Sequence, residues 1–442
     1  MKIWSNMTAA DLGRDIDRGR INPVELTEYF LDAIASHPLA PRIYARTTET
    51  RARGEAMGAA GRAKMGLRRS PLDGVPLSWK DLFDTAGIAT EAGSALLKHR
   101  TPKADAEVLA TATLQGSVCL GKTHMSELAF SGLGLNPVTA TPPSINDDQA
   151  VAGGSSSGAA ASVANGLAPA AIGSDTGGSV RIPAAWNDLV GLKTTHGRLS
   201  STGVVPLCEQ FDTVGPLAHT VEDCALLFSL LNGSKPFDLT PPPLTGLTLA
   251  VLETLALDGL RDRPACGFDD ALTRLGRAGA TITRIAAPQV PVAMSLAGFL
   301  FPAEAYGIWG PTIEAAPDKM FPRILKRFRT GASVKATDYV AGWRLLHDLR
   351  QSFIAATAQY DAILVPTSPI LPPNAHRLMT DADYYVTENL LALRNTRIGT
   401  MMNQCALTLP TSQPSCGLSL MCPPGQEERL LRIGRAAERA LA

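Results

Sequence analysis

Residues 153–158 read Gly-Gly-Ser-Ser-Ser-Gly and residues 173–181 read Gly-Ser-Asp-Thr-Gly-Gly-Ser-Val-Arg, with an alanine-rich segment between them. Glycine permits a positive φ and lets the backbone approach a ligand closely. Consecutive N–H groups in such a turn form a concave site that favours an anion. A serine at the end of the turn therefore has the arrangement of a nucleophile beside an oxyanion hole.

A nucleophilic serine needs a base, and the candidate is Lys80 in Gly-Val-Pro-Leu-Ser-Trp-Lys-Asp, residues 74–81. The neighbours of Lys80 are mostly apolar, which predicts a buried strand. Burial would lower the pKa of the lysine toward values useful for a base. None of the seven histidines lies in either serine cluster. A buried salt bridge to a nearby carboxylate is the alternative interpretation of Lys80, and local sequence favours neither.

Together these motifs resemble the amidase signature family, whose members use a Ser-Ser-Lys triad. The motifs that carry the resemblance, in the family's order and spacing, are Gly74-Val-Pro to Lys80-Asp81, Gly121-Lys122-Thr123 with Glu127, the cluster at 153–158, Gly173 to Ala184 and Gly191-Leu-Lys193. The resemblance extends from about residue 8 to the end of the chain and is specific, because several separate motifs match.

The resemblance implies a role for each triad residue. Ser179 is the nucleophile, Lys80 is the ultimate base, and Ser155 bridges them after a cis peptide bond from Gly154. The oxyanion hole is formed by the backbone N–H groups of Thr176, Gly177, Gly178 and Ser179. The overall reaction is hydrolysis of a carboxylic amide to an acid and ammonia or an amine through an acyl-enzyme.

Other residues around the turn are interpreted from their chemistry. Asp175 and Arg181 flank Ser179 and are expected to hold the turn through charge-assisted bonds, with direct substrate contact as the lesser alternative. An apolar substrate pocket is expected from Met125, Phe130, Ile182 and Trp186. For Trp186, packing in the core is favoured over a place in the pocket wall. Aryl or short alkyl amides are the first expectation for the substrate.

Alternating strands and helices predict an α/β fold. The resemblance implies a single domain over residues 1–442, with a central mixed sheet covered on both faces by helices. The catalytic core is expected at about 67–232, and an irregular, variable region covering the pocket at about 292–335. Residues 131–152 are predicted to be a long loop leading into the site, and the proline-containing segment 233–246 a surface connection within the domain.

Local patterns place individual elements. Asn22 followed by Pro23 and Glu25 is a strong start signal for a helix, and Thr8 is a candidate N-cap. Helices are predicted at 8–19, from 22, and at 47–65, 104–115, 156–165, 220–232, 266–279, 337–359 and 426–441. Strands are predicted before Lys80 and at 117–120, 247–252, 281–285 and 361–366.

Composition excludes several classes of protein. The 41 basic and 41 acidic residues cancel, which gives no indication of a nucleic-acid partner. No run of 18 apolar residues occurs, and no apolar segment follows Met1–Asn6, so neither a membrane span nor a signal peptide is expected. The seven scattered cysteines contain no Cys-x-x-Cys pair, so no metal, cofactor or disulfide framework is expected and a cytoplasmic location fits.

Three alternatives are weighed against the amidase interpretation. Residues 116–123 match the phosphate-binding pattern G-x-x-x-x-G-K-[ST], but their inner residues are strand-like and a helix precedes them, which disfavours a nucleotide site. The amidase subunit of a tRNA-dependent glutamine amidotransferase usually has glutamine where this chain has Ile182, and is longer. A catalytically inert scaffold is disfavoured by the intact triad. The expected partner is a small amide, and a homodimer is the common form among relatives.

Overall fold

Eleven strands form one mixed sheet within residues 4–442, the part of the chain that the computed structural model describes. The strand order is β1-β3-β2-β6-β8-β7-β12-β13-β11-β9-β10, and β4 and β5 form a separate hairpin. The strands are β1 Tyr44–Thr47, β2 Pro76–Lys80, β3 Val118–Thr123, β4 Pro143–Ser144, β5 Asp147–Val151, β6 Ala170–Ser174, β7 Val190–Lys193, β8 Val214–Ala218, β9 Thr248–Leu252, β10 Thr281–Ile285, β11 Ala362–Pro366, β12 Cys405–Pro410 and β13 Gly417–Cys422.

Helices flank this sheet. They are α1 Ala9–Asp17, α2 Pro23–Ser36, α3 Ala40–Ile43, α4 Glu49–Lys64, α5 Glu107–Leu114, α6 Ser157–Ala164, α7 Arg181–Trp186, α8 Val221–Leu231, α9 Asp262–Arg277, α10 Gln289–Ala315, α11 Pro322–Arg329, α12 Ala336–Thr357, α13 Ala375–Thr380, α14 Ala382–Met401 and α15 Glu427–Leu441. Short 3₁₀ helices lie at Trp4–Asn6, Ala95–Leu97, Glu127–Ala129, Pro317–Lys319 and Thr330–Ser333. The predicted α/β fold, a single domain with a mixed sheet between helices, is therefore confirmed.

The strands that carry the serine and lysine motifs lie next to each other in the sheet. β2 is parallel to both β3 and β6, and β8 is antiparallel to β6. Every residue of β2, β3 and β6 is buried, as expected for parallel strands with helices on both faces. The carboxyl ends of β2 and β6 therefore open at the same edge of the sheet.

Predicted helix starts agree with the structure where a polar side chain caps the first turn. Thr8 accepts a hydrogen bond from the Asp11 N–H, and Asn22 accepts one from Val24. The same kind of cap occurs at α8, where Thr220 accepts a hydrogen bond from Asp223. These side chains satisfy N–H groups that have no partner within the helix, which fixes where each helix begins.

The largest error of the sequence interpretation concerns residues 292–335, which are helical rather than irregular. Residues 289–315 form the long helix α10, which contains Pro302 and Pro311, and α11 follows it. Proline normally interrupts a helix, so the two prolines concealed the element. Helix α14 and the hairpin of β12 and β13 were also absent from the sequence prediction, and residues 131–152 contain the β4–β5 hairpin.

The expectations about a membrane span and a signal peptide can also be compared with the structure. By length and composition α10 is apolar enough to cross a membrane, with a mean hydropathy of 1.2 over 18 residues, although Glu304 interrupts its apolar sequence. In the structure α10 packs against α11 and α12, and 44% of that stretch is buried. Residues 1–3, on which the signal-peptide expectation partly rests, lie outside the described residues.

Candidate active site

The candidate site lies where β2, the turn after β6 and the segment before α6 meet. Ser78 and Trp79 of β2 pair with Ala171 and Ile172 of β6, and this register brings Lys80 beside Ser174. The segment before α6 joins them because the Ser156 N–H donates to the Ser179 carbonyl at 3.1 Å. Three stretches that are distant in sequence therefore place their polar groups at one edge of the sheet.

Lys80 is fully buried and bonds to hydroxyl groups instead of a carboxylate. Its Nζ donates to Ser155 Oγ at 2.7 Å and to Ser174 Oγ at 2.8 Å. Burial lowers the pKa of Lys80 to about 7, although the nearby carboxylates of Asp212 and Asp175 oppose the shift. These contacts do not include a salt bridge to a carboxylate, which was the alternative interpretation of Lys80. The hydrogen bond to Ser174 was not predicted from the sequence.

Two other buried lysines provide a contrast. Lys122 Nζ donates to the Phe83 carbonyl at 2.7 Å and lies 3.3 Å from Asp81, and Lys193 Nζ donates to the carbonyls of Thr194 and Gln404. Neither lysine contacts a serine in these hydrogen bonds. Residues 118–123 form strand β3, so the residues that match the phosphate-binding pattern are part of the sheet and Lys122 is already bonded.

The two serines of the candidate triad differ in their surroundings. Ser155 follows a cis peptide bond from Gly154 and accepts the Lys80 hydrogen bond. A Cβ atom on Gly154 would lie 2.5 Å from the Gly134 nitrogen and 2.6 Å from Ser126 Oγ, so only glycine fits there. Ser179 lines a cavity, and its Oγ makes no hydrogen bond within the described chain.

The turn that carries Ser179 is held by a buried ion pair. Asp175 accepts hydrogen bonds from Arg181 Nε and Nη2, both at 2.9 Å, and from the N–H groups of Gly178 at 2.7 Å and Val180 at 3.1 Å. Burial alone would raise the pKa of Asp175, but the Arg181 guanidinium outweighs it and the pKa lies below its usual value. Neither Asp175 nor Arg181 lines the cavity.

Arg181 also fastens the turn to helix α14. Its Nη1 donates to the Thr396 carbonyl at 2.7 Å, and Thr396 Oγ1 donates to the Gly177 carbonyl at 2.7 Å. Gly178 has φ +138°, and a Cβ atom there would lie 2.1 Å from Thr396 Oγ1. The turn can approach α14 this closely only because residue 178 is glycine.

The expected oxyanion hole is altered by these contacts. The Gly178 N–H is already donated to Asp175 at 2.7 Å, so it points at a carboxylate within the protein. The N–H groups of Thr176, Gly177 and Ser179 make no hydrogen bond among residues 4–442 and remain available to an oxyanion. The candidate hole is therefore smaller than the sequence indicated, because Asp175 uses one of its four donors.

Asp212 is a further buried group that the sequence did not single out. Its carboxylate accepts hydrogen bonds from the Thr176 hydroxyl and from the N–H groups of Leu207 at 2.8 Å and Cys208 at 3.0 Å. Burial raises its pKa to about 6, while these hydrogen bonds and the nearby Lys80 favour the charged form. Asp212 therefore orders the start of the turn that carries Ser179 and lies near Lys80.

The cavity beside Ser179 differs from the expected apolar pocket. Its lining residues are Ala129, Phe130, Ser131, Thr176, Gly177, Ser179, Leu207, Phe301, Arg327, Leu393 and Arg397. Of the four expected pocket residues only Phe130 is among them, because Met125, Ile182 and Trp186 are completely buried in the core. Trp186 donates from Nε1 to the Ile370 carbonyl at 3.2 Å, so the favoured interpretation of Trp186 as a core residue agrees with the structure.

Part of the cavity wall comes from the region 292–335, which was expected from the sequence to cover the pocket, and part from α14, which was not predicted. Phe301 and Arg327 belong to the region 292–335, and Arg397 belongs to α14. Glu127, a residue of the sequence motifs, anchors that region by accepting a hydrogen bond from the Phe321 N–H at 2.9 Å. Within residues 4–442 no group of three His, Cys, Asp or Glu side chains is placed to hold a metal ion.

Comparison with known proteins identifies the family. The family model described as Amidase matches residues 25–431. This chain belongs to the amidase family. It is 33% identical to 2-amino-5-chloromuconic acid deaminase of Comamonas testosteroni, over 98% of this chain and 96% of the relative.

Two further relatives of this amidase bear on its activity. A glutamyl-tRNA(Gln) amidotransferase subunit of Roseiflexus sp. strain RS-1 is 32% identical over 99% of this chain and 97% of that protein. A crystal structure of an amidase superposes with a TM-score of 0.85 and 28% identity, covering 99% and 100% of the two chains. The chain is accordingly a hydrolase that acts on carbon–nitrogen amide bonds.

Replacing Arg181 by methionine tests the importance of the buried pair. Arg181→Met leaves the Asp175 carboxylate buried without its charged partner, so the free energy of unfolding should fall by about 3–5 kcal/mol. Arg14→Met is the matched control, because Arg14 forms ion pairs with Asp11 and Glu222 at the surface and should cost only about 0–1 kcal/mol. Thermal unfolding of both variants measures this, and equal midpoints would contradict the role assigned to the pair.

Proposed function

We propose that this amidase cleaves its substrate through an acyl-enzyme on Ser179, with Ser155 and Lys80 as the proton relay. The single observation that carries the proposal is the 2.7 Å hydrogen bond from Lys80 to Ser155. A lysine whose pKa burial lowers to about 7 is partly neutral at neutral pH and is able to accept a proton. Its bond to a serine next to the Ser179 segment gives that proton a route.

The proposed reaction has two balanced halves. Ser179 Oγ attacks the amide carbonyl carbon while its proton passes through Ser155 to Lys80. The N–H groups of Thr176, Gly177 and Ser179 bind the oxyanion, the carbon–nitrogen bond breaks, and the leaving amine receives the proton from Ser155. Water then attacks the Ser179 ester by the same route and releases the acid. Removing one donor from such a hole costs about 3–4 kcal/mol of transition-state stabilisation.

One link of the relay has to form when substrate binds. Ser155 Oγ is bonded to Lys80, whereas Ser179 Oγ has no hydrogen-bond partner within the described chain. Catalytic hydrogen bonds are often long in a free enzyme and shorten in the complex. The backbone hydrogen bond between Ser156 and Ser179 already holds the two segments side by side, and we expect the two hydroxyl groups to meet when substrate is bound.

The physiological setting forms part of the same proposal. All seven cysteines are free thiols, which suits a reducing compartment such as the cytoplasm. The substrate proposed is a small amide, and a homodimer is proposed from its frequency among related enzymes. The alternative of an amidotransferase subunit has support from the Roseiflexus relative. Co-purification with a second subunit, together with glutaminase activity that requires it, would favour that alternative.

Ser179→Ala tests the nucleophile directly. With hydroxylamine as acceptor, the unmutated enzyme should convert a panel of aryl, alkyl and amino-acid amides into hydroxamates, and Ser179→Ala should give none because no acyl ester forms. Ser157→Ala is the matched control, since Ser157 lies in the same serine cluster and its hydroxyl hydrogen-bonds only to the His124 carbonyl, at 3.5 Å. Near-normal hydroxamate formation by Ser179→Ala would refute the proposal.

The pH dependence tests Lys80 as the base. Because its pKa is about 7 and the neutral form is required, kcat/KM for an uncharged amide should rise about tenfold per pH unit below pH 7 and level off above it. Asp212→Asn should move the midpoint to lower pH, because the Asp212 carboxylate favours protonated Lys80. A profile that is flat across neutral pH, or an unshifted midpoint in the variant, would argue against Lys80.

A further inference from the structure

Two arginines line the cavity that contains Ser179. Arg327 comes from α11 and Arg397 from α14. Arg397 makes no hydrogen bond or ion pair with any described residue, and its guanidinium lies 5.8 Å from the centre of the Phe301 ring. Arg327 donates one hydrogen bond, to the Phe130 carbonyl at 2.8 Å, and lies 4.2 Å from the centre of the Phe130 ring.

The two guanidinium groups lack a counterion in the described chain. Burial lowers the pKa of Arg397 to about 9, and the positive charge of Arg327 adds to the effect. Both arginines stay protonated at neutral pH. The fully buried Arg181, by contrast, has the Asp175 carboxylate at 2.9 Å. A pair of like charges turned toward a cavity is costly unless an anion enters that cavity.

The position of Arg397 connects this charge with the reacting atoms. Its Cγ and Nε lie 3.4 Å and 3.6 Å from the place that a Cβ atom would occupy on Gly177. Gly177 supplies one of the free N–H groups of the proposed oxyanion hole. The neighbouring Thr396 holds the Gly177 carbonyl at 2.7 Å, which fixes α14 against the turn. An anion on Arg397 would therefore lie close to the carbonyl that Ser179 attacks.

We propose that Arg327 and Arg397 bind a carboxylate on the acyl part of the substrate, which is then a half-amide of a short dicarboxylic acid. The planar guanidinium group matches a carboxylate with two parallel hydrogen bonds, and Arg397 has all its donors available. This inference rests on the proposed function of Ser179. It replaces the aryl or alkyl amides expected from sequence with an anionic class of substrate.

The carboxylate belongs on the acyl side and near the amide for two reasons. The acyl group stays attached to Ser179 through both halves of the reaction while the amine departs after the first, so groups that line the cavity hold the acyl part longest. The space beside Ser179 is small, because Phe130, Leu207 and Phe301 line it together with the two arginines. A short chain between the two carbonyl groups matches this space and the close approach of Arg397 to Gly177.

Binding of dicarboxylates to Ser179→Ala protein tests the anion site without any turnover. Calorimetry with malonate, succinate and glutarate should detect binding of at least one of them. Arg397→Gln in the same background should weaken that binding by about 10- to 100-fold, since charge-assisted hydrogen bonds are lost. Because Arg397 has no hydrogen bond to the described part of the protein, this substitution removes no polar contact of the fold. Arg327→Gln should weaken binding in the same direction.

Arg394→Gln is the matched control for both variants. Arg394 lies three residues before Arg397 on α14, is half-buried, and donates to Asn395 and the Ala256 carbonyl away from the cavity. Its replacement should leave dicarboxylate binding unchanged. Failure of all three dicarboxylates to bind, or equal weakening by Arg394→Gln and Arg397→Gln, would overturn the assignment.

Kinetics with matched amides tests the same site in the working enzyme. Malonamic, succinamic and glutaramic acids carry the carboxylate, and malonamide, succinamide and glutaramide are their uncharged counterparts. The best half-amide should exceed its diamide in kcat/KM by about 10- to 100-fold, and Arg397→Gln should remove most of that preference. A preference for the diamides, or for a carboxylate on the amine side as in N-acetylglycine, would refute the inference.

The two proposals fail in different ways. If Ser179→Ala hydrolyses amides normally while Arg397→Gln still weakens dicarboxylate binding, the nucleophile is wrong and the anion site stands. If Ser179 forms acyl-enzymes from uncharged amides and Arg397→Gln changes neither binding nor preference, the nucleophile stands and the anion site is wrong.

Discussion

The hydrogen bond from Lys80 to Ser155 is the contact on which the rest of the site depends. It requires a lysine at the buried end of β2, a serine beside it from a separate loop, and no carboxylate close enough to pair with the ammonium group. Strand register supplies the first condition, and the close contacts at Gly154, where only glycine fits, supply the second. Because no carboxylate pairs with the ammonium group, burial lowers the pKa of Lys80 to about 7, well below its usual value.

A second buried contact joins this centre to the cavity. The Asp175–Arg181 pair shapes the turn that ends at Ser179, and Arg181 also reaches the backbone of α14. The same helix carries Arg397 into the cavity. A fully buried ion pair is seldom a net source of stability. Its role here is geometric, because it sets the distance between the turn that carries Ser179 and the helix that we propose recognises substrate charge.

How much the sequence could predict depends on whether a feature is local. Neighbouring residues in the sequence determine the strand ending at Lys80, the capped helices and the serine clusters. The α/β fold follows from the alternation of strands and helices. Helix α10 was missed because Pro302 and Pro311 lie inside it, and Phe130 alone of the expected pocket residues lines the cavity. Neither Arg327 nor Arg397 has an acidic residue three or four positions away, which indicates that neither forms an ion pair within its own helix. Their proximity to each other depends on tertiary packing and could not be predicted from the sequence.

The central claim is that burial among hydroxyl groups lowers the pKa of Lys80 to about 7, so that a large part of it is neutral near physiological pH. Nitrogen-15 NMR of lysine-labelled Ser179→Ala protein would measure this directly, with the Lys80 Nζ signal assigned by its loss in a Lys80→Arg version. The account predicts that this nitrogen titrates near pH 7, well below the value of about 10.4 of an exposed lysine. A Lys80 that stays protonated up to about pH 10, as an exposed lysine does, would contradict it.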